Sequence, residues 1–241
     1  MQFELVSDLH LESQREMKVF PTRGSKVLVV AGDLNVGAAN VYRDLVLYSN
    51  MYEHIVYVAG NHEYYGTTLS DFNNQLRMLL VKHPNIHFLD NHYVDIDGVR
   101  FIGSTLWTNF RYNPLAMMAA KVMISDFRVI RAFSPEVSVK LFYQAKEFLK
   151  FAYESTQGPK VFVTHFLPAT QCIHAKFAGE NLINNYFSND LGEWIEVLEN
   201  TTWVYGHSHD PLITLIGDTK LHCNPLGYAP DNTYIPHLIN V

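Results

Sequence analysis

Five times along this chain a short apolar run ends in a cluster of Asp, Asn or His. Phe3 to Ser7 leads into Asp8-Leu9-His10, and Lys26 to Ala31 into Gly32-Asp33. Ile55 to Ala59 leads into Gly60-Asn61-His62-Glu63, and Val161 to Thr164 into His165. Thr202 to Tyr205 leads into Gly206-His207-Ser208-His209. The β-branched runs at Lys26 to Ala31 and Ile55 to Ala59 predict strands buried on both faces, as in a sheet covered by helices. In open α/β sheets the carboxyl ends of the strands form the crevice where ligands bind. The five blocks are therefore expected to meet on one rim, although they are far apart in sequence.

Helical patterns fill the gaps. Val41 to Tyr52 is one. Ser70 to Lys82 places Phe72, Leu76, Leu79 and Leu80 on one face, with Ser70 as N-cap. Ser134-Pro135-Glu136 has the cap, proline and acid of a helix start, and that helix runs to about Glu154. Asp190 to Glu199 carries a shorter pattern. Asp97-Gly98 and Gly217-Asp218 mark hairpins. Alternating strand and helix patterns give an α/β architecture. The 241 residues suit a single domain spanning 1–241. Periodicity weakens from Ser104 to Arg131, and this stretch reads as an insertion around 104–131 that covers a site.

Composition removes several classes. Apolar residues make up 48% of the chain and charged residues 17%, which excludes disorder. A net charge of −6 argues against a groove for long nucleic acid. The longest apolar stretch, Leu115 to Ile124, is interrupted by Lys121 and is too short to span a bilayer. Two cysteines, Cys172 and Cys223, make no disulfide framework. With no basic-then-apolar leader at Met1 to Leu5, the expectation is a cytoplasmic protein with reduced thiols.

The residue types in the five blocks suit divalent transition metals. Imidazole and carboxylate bind manganese, iron, zinc or nickel, and the blocks contain no thiolate. A carboxylate such as Asp33 can bridge two ions, a pair that activates water and clamps phosphoryl oxygens. Glycines before Asp33, Asn61 and His207 are expected to make tight turns. Any one block alone is more often an ordinary turn. It is their joint occurrence, in order and each at a strand end, that makes the case.

Together these blocks resemble the calcineurin-like metallophosphoesterase superfamily, over nearly the whole length from Asp8 to His209. The resemblance implies a two-sheet β-sandwich flanked by helices, with two divalent metal ions at the strand ends and manganese as the leading candidate. It also implies that Asp8, His10 and His209 bind one metal, that Asn61, His165 and His207 bind the other, and that Asp33 bridges them. His62 matches the histidine that contacts the phosphate and protonates the leaving group, a role imidazole suits near neutral pH. Glu63 reads as structural. Leu34-Asn35-Val36-Gly37 departs from the protein serine/threonine phosphatases and purple acid phosphatases, and His62 from the UDP-diacylglucosamine hydrolases, which carry arginine there. What remains is similar to small single-domain phosphoesterases of bacteria and phages, a likeness that Gly103 to Thr108 and Asn224 to Tyr228 share.

The implied activity is a phosphodiesterase on a small or nucleotide-like substrate, with a metal-bridging hydroxide as nucleophile. Alternatives are a phosphomonoesterase or nucleotidase, a nuclease, and a non-catalytic scaffold. Arg111, Arg128 and Arg131 are candidates for phosphate contact from the insertion, because guanidinium forks match phosphate oxygens. His174 and His222 flank the blocks and are weaker candidates. Tyr64 and Tyr65 follow His62 and read as core packing or as a stacking surface for a base.

Overall fold

The computed structural model describes residues 1–14, 20, 22–179, 182–228 and 233–241. In chain order the strands are β1 (Gln2–Val6), β2 (Val27–Ala31), β3 (His54–Val58), β4 (Ile86–Phe88), β5 (His92–Ile96) and β6 (Val99–Ser104). They continue with β7 (Lys160–Thr164), β8 (Thr201–Tyr205), β9 (Leu212–Ile216), β10 (Thr219–Cys223) and β11 (His237–Asn240). The helices are α1 (Ala38–Tyr48), α2 (Leu69–Leu80), α3 (Pro114–Met123), α4 (Asp126–Val129), α5 (Pro135–Glu154), α6 (Asn184–Phe187) and α7 (Gly192–Glu196).

The strands form two mixed sheets, in the orders β11-β1-β2-β3-β4 and β5-β6-β7-β8-β10-β9. Within them β1 to β4 are parallel, as are β6, β7, β8 and β10, so their carboxyl ends share a direction within each sheet. Antiparallel β5, β9 and β11 close edges.

Alternate residues of each central strand serve different cores, which is why the runs lack polar alternation. Val27, Val29 and Ala31 of β2 pack between the sheets with Val161 and Val163 of β7. Leu28 and Val30 face outward against Val41 and Leu45 of α1, with Phe72 and Leu76 of α2 nearby. On the far side Phe162 of β7 and Trp203 of β8 meet Phe142 and Leu149 of α5 and Ile195 of α7. Helix, sheet, sheet, helix is the resulting layer order.

Several local expectations need correcting. The cap of α2 is Thr68, whose hydroxyl accepts the Asp71 N–H at 3.1 Å; Ser70 lies inside the helix. α1 starts at Ala38 and stops at Tyr48, and the Asp190 to Glu199 pattern yields only the short α7. Residues 104–131 are not irregular, because they contain α3 and α4. No helix among the described residues is long and apolar enough to cross a membrane.

Candidate active site

The blocks end up side by side. Asp8 and His10 follow β1, Asp33 follows β2, and Asn61 and His62 follow β3. From the second sheet come His165, after β7, and His207 and His209, after β8. Donor atoms of Asp8, His10, Asp33 and His209 lie within 4.8 Å of one another, as do those of Asp33, His165 and His207. Asp33 belongs to both groups. Its Oδ1 accepts the His62 backbone N–H at 2.9 Å, and its Oδ2 sits 3.7 Å from His10 Nε2 and 3.4 Å from His165 Nε2.

The chain is bent to bring these donors inward. Asp8, His10, Asp33, His207 and His209 all have φ between 44° and 68°, a region that non-glycine residues seldom occupy. The block glycines serve two purposes rather than one. Gly32, at φ 86°, makes the expected turn. Gly60 and Gly206 are required for space: a Cβ on Gly60 would collide with the Asp33 carboxylate, and one on Gly206 would lie 2.6 Å from the Ala31 carbonyl.

Hydrogen bonds fix which imidazole nitrogen is free. His165 Nδ1 donates to the Ala31 carbonyl at 2.9 Å, and His10 Nδ1 donates to Glu12 Oε1 at 3.1 Å. Both Nε2 lone pairs then point into the site. His10 Nε2 faces His209 Nε2 at 3.0 Å, and His165 Nε2 faces His207 Nδ1 at 3.1 Å and Asn61 Oδ1 at 3.1 Å. At such distances each pair of nitrogens shares either a proton or a cation, and this N/O donor set fits divalent transition ions. The site's electrostatics are dominated by Asp33: burial alone would lower the His165 imidazole, but Asp33 and Asp8 raise its proton affinity to about 10. Burial alone would raise the Asp33 carboxyl, but His165, His62 and His10 hold it well below the usual carboxylate range. Burial lowers the proton affinity of His207 and His209, the direction that favours binding a cation over a proton.

Beside this centre is a cavity of about 450 Å³, lined by Asp33, Asn61, His62, His207 and His209 among others. His62 Nδ1 pairs with Glu12 Oε1 at 3.0 Å, and its Nε2 lies 3.0 Å from the Tyr228 hydroxyl. Burial opposes its charged form, yet Asp33 and Glu12 raise its proton affinity to about 9. Glu12 itself drops to about 2, since bonds from His10 and His62 outweigh its partial burial. Glu63 is fully buried and structural in its contacts: it accepts the N–H groups of Gly60, Asp33 and Leu34 and the Tyr57 hydroxyl. Burial beside Asp33 raises it to about 7.

Three groups escape sequence reading. Glu12 extends the alternation Asp8, His10, Glu12, a spacing that could have flagged it. Asp126 is buried at the cavity wall and accepts Asn61 Nδ2 at 3.2 Å, the Tyr65 hydroxyl at 2.7 Å and the Tyr186 hydroxyl, so it sets which end of the Asn61 amide faces His165. Tyr228 carries no sequence signal for its position over His62. The three arginines, by contrast, are not where expected. Arg128 binds the Val122 carbonyl at 2.7 Å, and none of Arg111, Arg128 and Arg131 lines the cavity. In α4 it is Asp126, not Arg128, that lines the cavity. Tyr64 is core and Tyr65 lines the cavity, as does His174, while His222 pairs with His237 at 3.2 Å. Both cysteines are buried and unpaired.

A two-sheet sandwich with this donor cluster at its strand ends defines a metallophosphoesterase architecture. The chain belongs to the calcineurin-like phosphoesterase family, whose model matches residues 1–211, and is a metal-dependent phosphoester hydrolase. Uncharacterized protein L509 of Acanthamoeba polyphaga mimivirus is 26% identical over 273 residues, spanning 96% of this chain and 93% of its own. The phosphopantetheinyl hydrolase of Mycobacterium tuberculosis shares the fold with a TM-score of 0.73 at 17% identity, covering 94% of this chain and 89% of its own. TT1561 of Thermus thermophilus superposes with a TM-score of 0.60 at 14% identity, over 93% of this chain and 88% of its own.

Proposed function

We propose that this protein hydrolyses small phosphodiesters. Asp8, His10 and His209 would hold one divalent ion, Asn61, His165 and His207 a second, with Asp33 shared between them. The observation that carries this reading is Asp33 Oδ2, set between His10 Nε2 and His165 Nε2. Ions held there supply Lewis-acid activation of the attacking water and of the phosphoryl oxygens. Manganese is the ion we expect, since the donors are nitrogen and oxygen throughout.

The remaining work falls to the chain. Glu12 fixes the His62 ring through Nδ1, so that Nε2 presents its proton to the cavity, where the leaving oxygen would take the place marked by the Tyr228 hydroxyl. Asp126 holds the Asn61 amide with its oxygen toward the centre. Residues 104–131 act as the covering wall of a single domain, through Met123, Ile124, Ser125 and Asp126. A diester fits better than a monoester because no Lys or Arg lines the cavity among the described residues to meet a second phosphoryl charge.

The test is hydrolysis of bis-p-nitrophenyl phosphate and p-nitrophenyl phosphate by metal-stripped protein, with Mn²⁺, Fe²⁺, Zn²⁺ or Ni²⁺ restored singly. Metal-dependent turnover favouring the diester is expected. Preference for the monoester would make it a phosphatase or nucleotidase instead.

A further inference from the structure

The cavity has two unlike sides. The donor cluster makes one, and apolar side chains make the other: Met123 and Ile124 from the end of α3, and Ile173, Phe177 and Phe187 from the segment after β7. Phe177 is 46% exposed and Met123 64% exposed, so large apolar surfaces stand in water beside a polar centre. Phe187 continues this wall to the ligand cluster, with its ring centroid 5.0 Å from that of His207. Apolar surface of this kind, converging on a few polar groups, is the usual lining of a small-molecule site.

Charge on that wall points the same way. Lys176, next to Phe177, spends its ammonium on Asp210 at 2.6 Å, and Arg128 is tied to the Val122 carbonyl. The carboxyl group at the wall is Asp126. A second anionic group on the substrate would lose its water and gain no cation among the described residues of this wall.

We infer that the substrate carries one phosphoryl group and that its other substituent is uncharged and apolar, lying along Ile173, Phe177 and Phe187. Di- and triphosphates, polyphosphate and oligonucleotides are excluded as good substrates by the same wall. This rests on the phosphodiesterase reading above and adds the class of the non-leaving group.

Three esters with one leaving group test it: methyl, n-hexyl and 5-carboxypentyl p-nitrophenyl phosphate, assayed with the metal-loaded protein. Their intrinsic reactivities are nearly alike, so differences report the wall. The hexyl ester should exceed the methyl ester in kcat/KM by about 10- to 100-fold, the gain expected from burying a few methylenes, and the terminal carboxylate should remove most of that gain. Within Phe177→Ala the hexyl-to-methyl ratio should shrink severalfold. In Phe177→Lys the carboxypentyl ester should recover relative to the hexyl ester. Both are ratios on one variant, insensitive to how much protein is active. Methyl-ester turnover with equal rates for the hexyl ester, or with a preference for the carboxylate in the unaltered protein, would overturn the inference while leaving the phosphodiesterase reading intact. No turnover of any ester would remove that reading, and the inference with it.

Discussion

At the scale of single residues, the proposed function separates side chains that would hold a cation from one that would handle a proton. Asp33 faces both donor groups, whereas His62 gives its backbone N–H to Asp33, packs its ring beside His10 and turns its ring nitrogens to Glu12 and Tyr228. Asp33→Ala should therefore lose metal and activity together. His62→Ala should keep its metal while turnover falls by about 10²- to 10⁴-fold, the usual range for a general acid. Metal analysis beside steady-state rates decides, and unchanged turnover in His62→Ala would remove it from the mechanism. Every ligand-type residue of the site is legible in sequence because each ends a strand-like run. Asp126 and Tyr228 are not, and Glu12 only through its spacing from His10, since their importance comes from what folding places opposite them.

At the scale of elements, sequence reading does best where a strand or helix has one clear apolar pattern. α5 begins at the Ser134-Pro135-Glu136 signal and ends at Glu154, as expected. α3 escapes such reading because it is apolar on both sides: Ala116 and Ala120 are buried while Leu115, Met118 and Val122 are exposed, so no periodicity survives. β4 and β11 are three and four residues long and include histidine, too little to register as runs. The start of α2 differs from its expected place by two residues, since Ser70 and Thr68 have the same capping chemistry and only the backbone decides between them. Thr68→Ala should cost about 1 kcal/mol, as loss of an N-cap does, and Ser70→Ala clearly less. Paired urea denaturation curves would show it, and equal losses would contradict the Thr68 cap.

At the scale of the whole molecule, a pair of histidines links the two sheets away from the site. His222 of β10 and His237 of β11 lie 3.2 Å apart, on strands of different sheets. Burial lowers both, with their mutual repulsion and Lys220 adding to it at His222, which falls to about 4, and Arg23 at His237. Both bind protons less readily folded than unfolded, so the unfolded chain gains protons first and stability drops as pH falls from about 6.5 toward 4. Metal-loaded His222→Asn should show a shallower loss over that window in denaturation measured at several pH values. An unchanged slope would place the acid sensitivity elsewhere.

The left-handed backbone at Asp8, His10, Asp33, His207 and His209 has a consequence for how such a chain can change over generations. Each such residue costs on the order of 1 kcal/mol or more against a relaxed backbone, and at these five positions the strained backbone is what turns the donor side chains together. Relaxing any of the five would strengthen the fold while dismantling the centre. A duplicated copy freed from hydrolysis would therefore drift first at these positions, often to glycine, and would become sturdier as it lost activity.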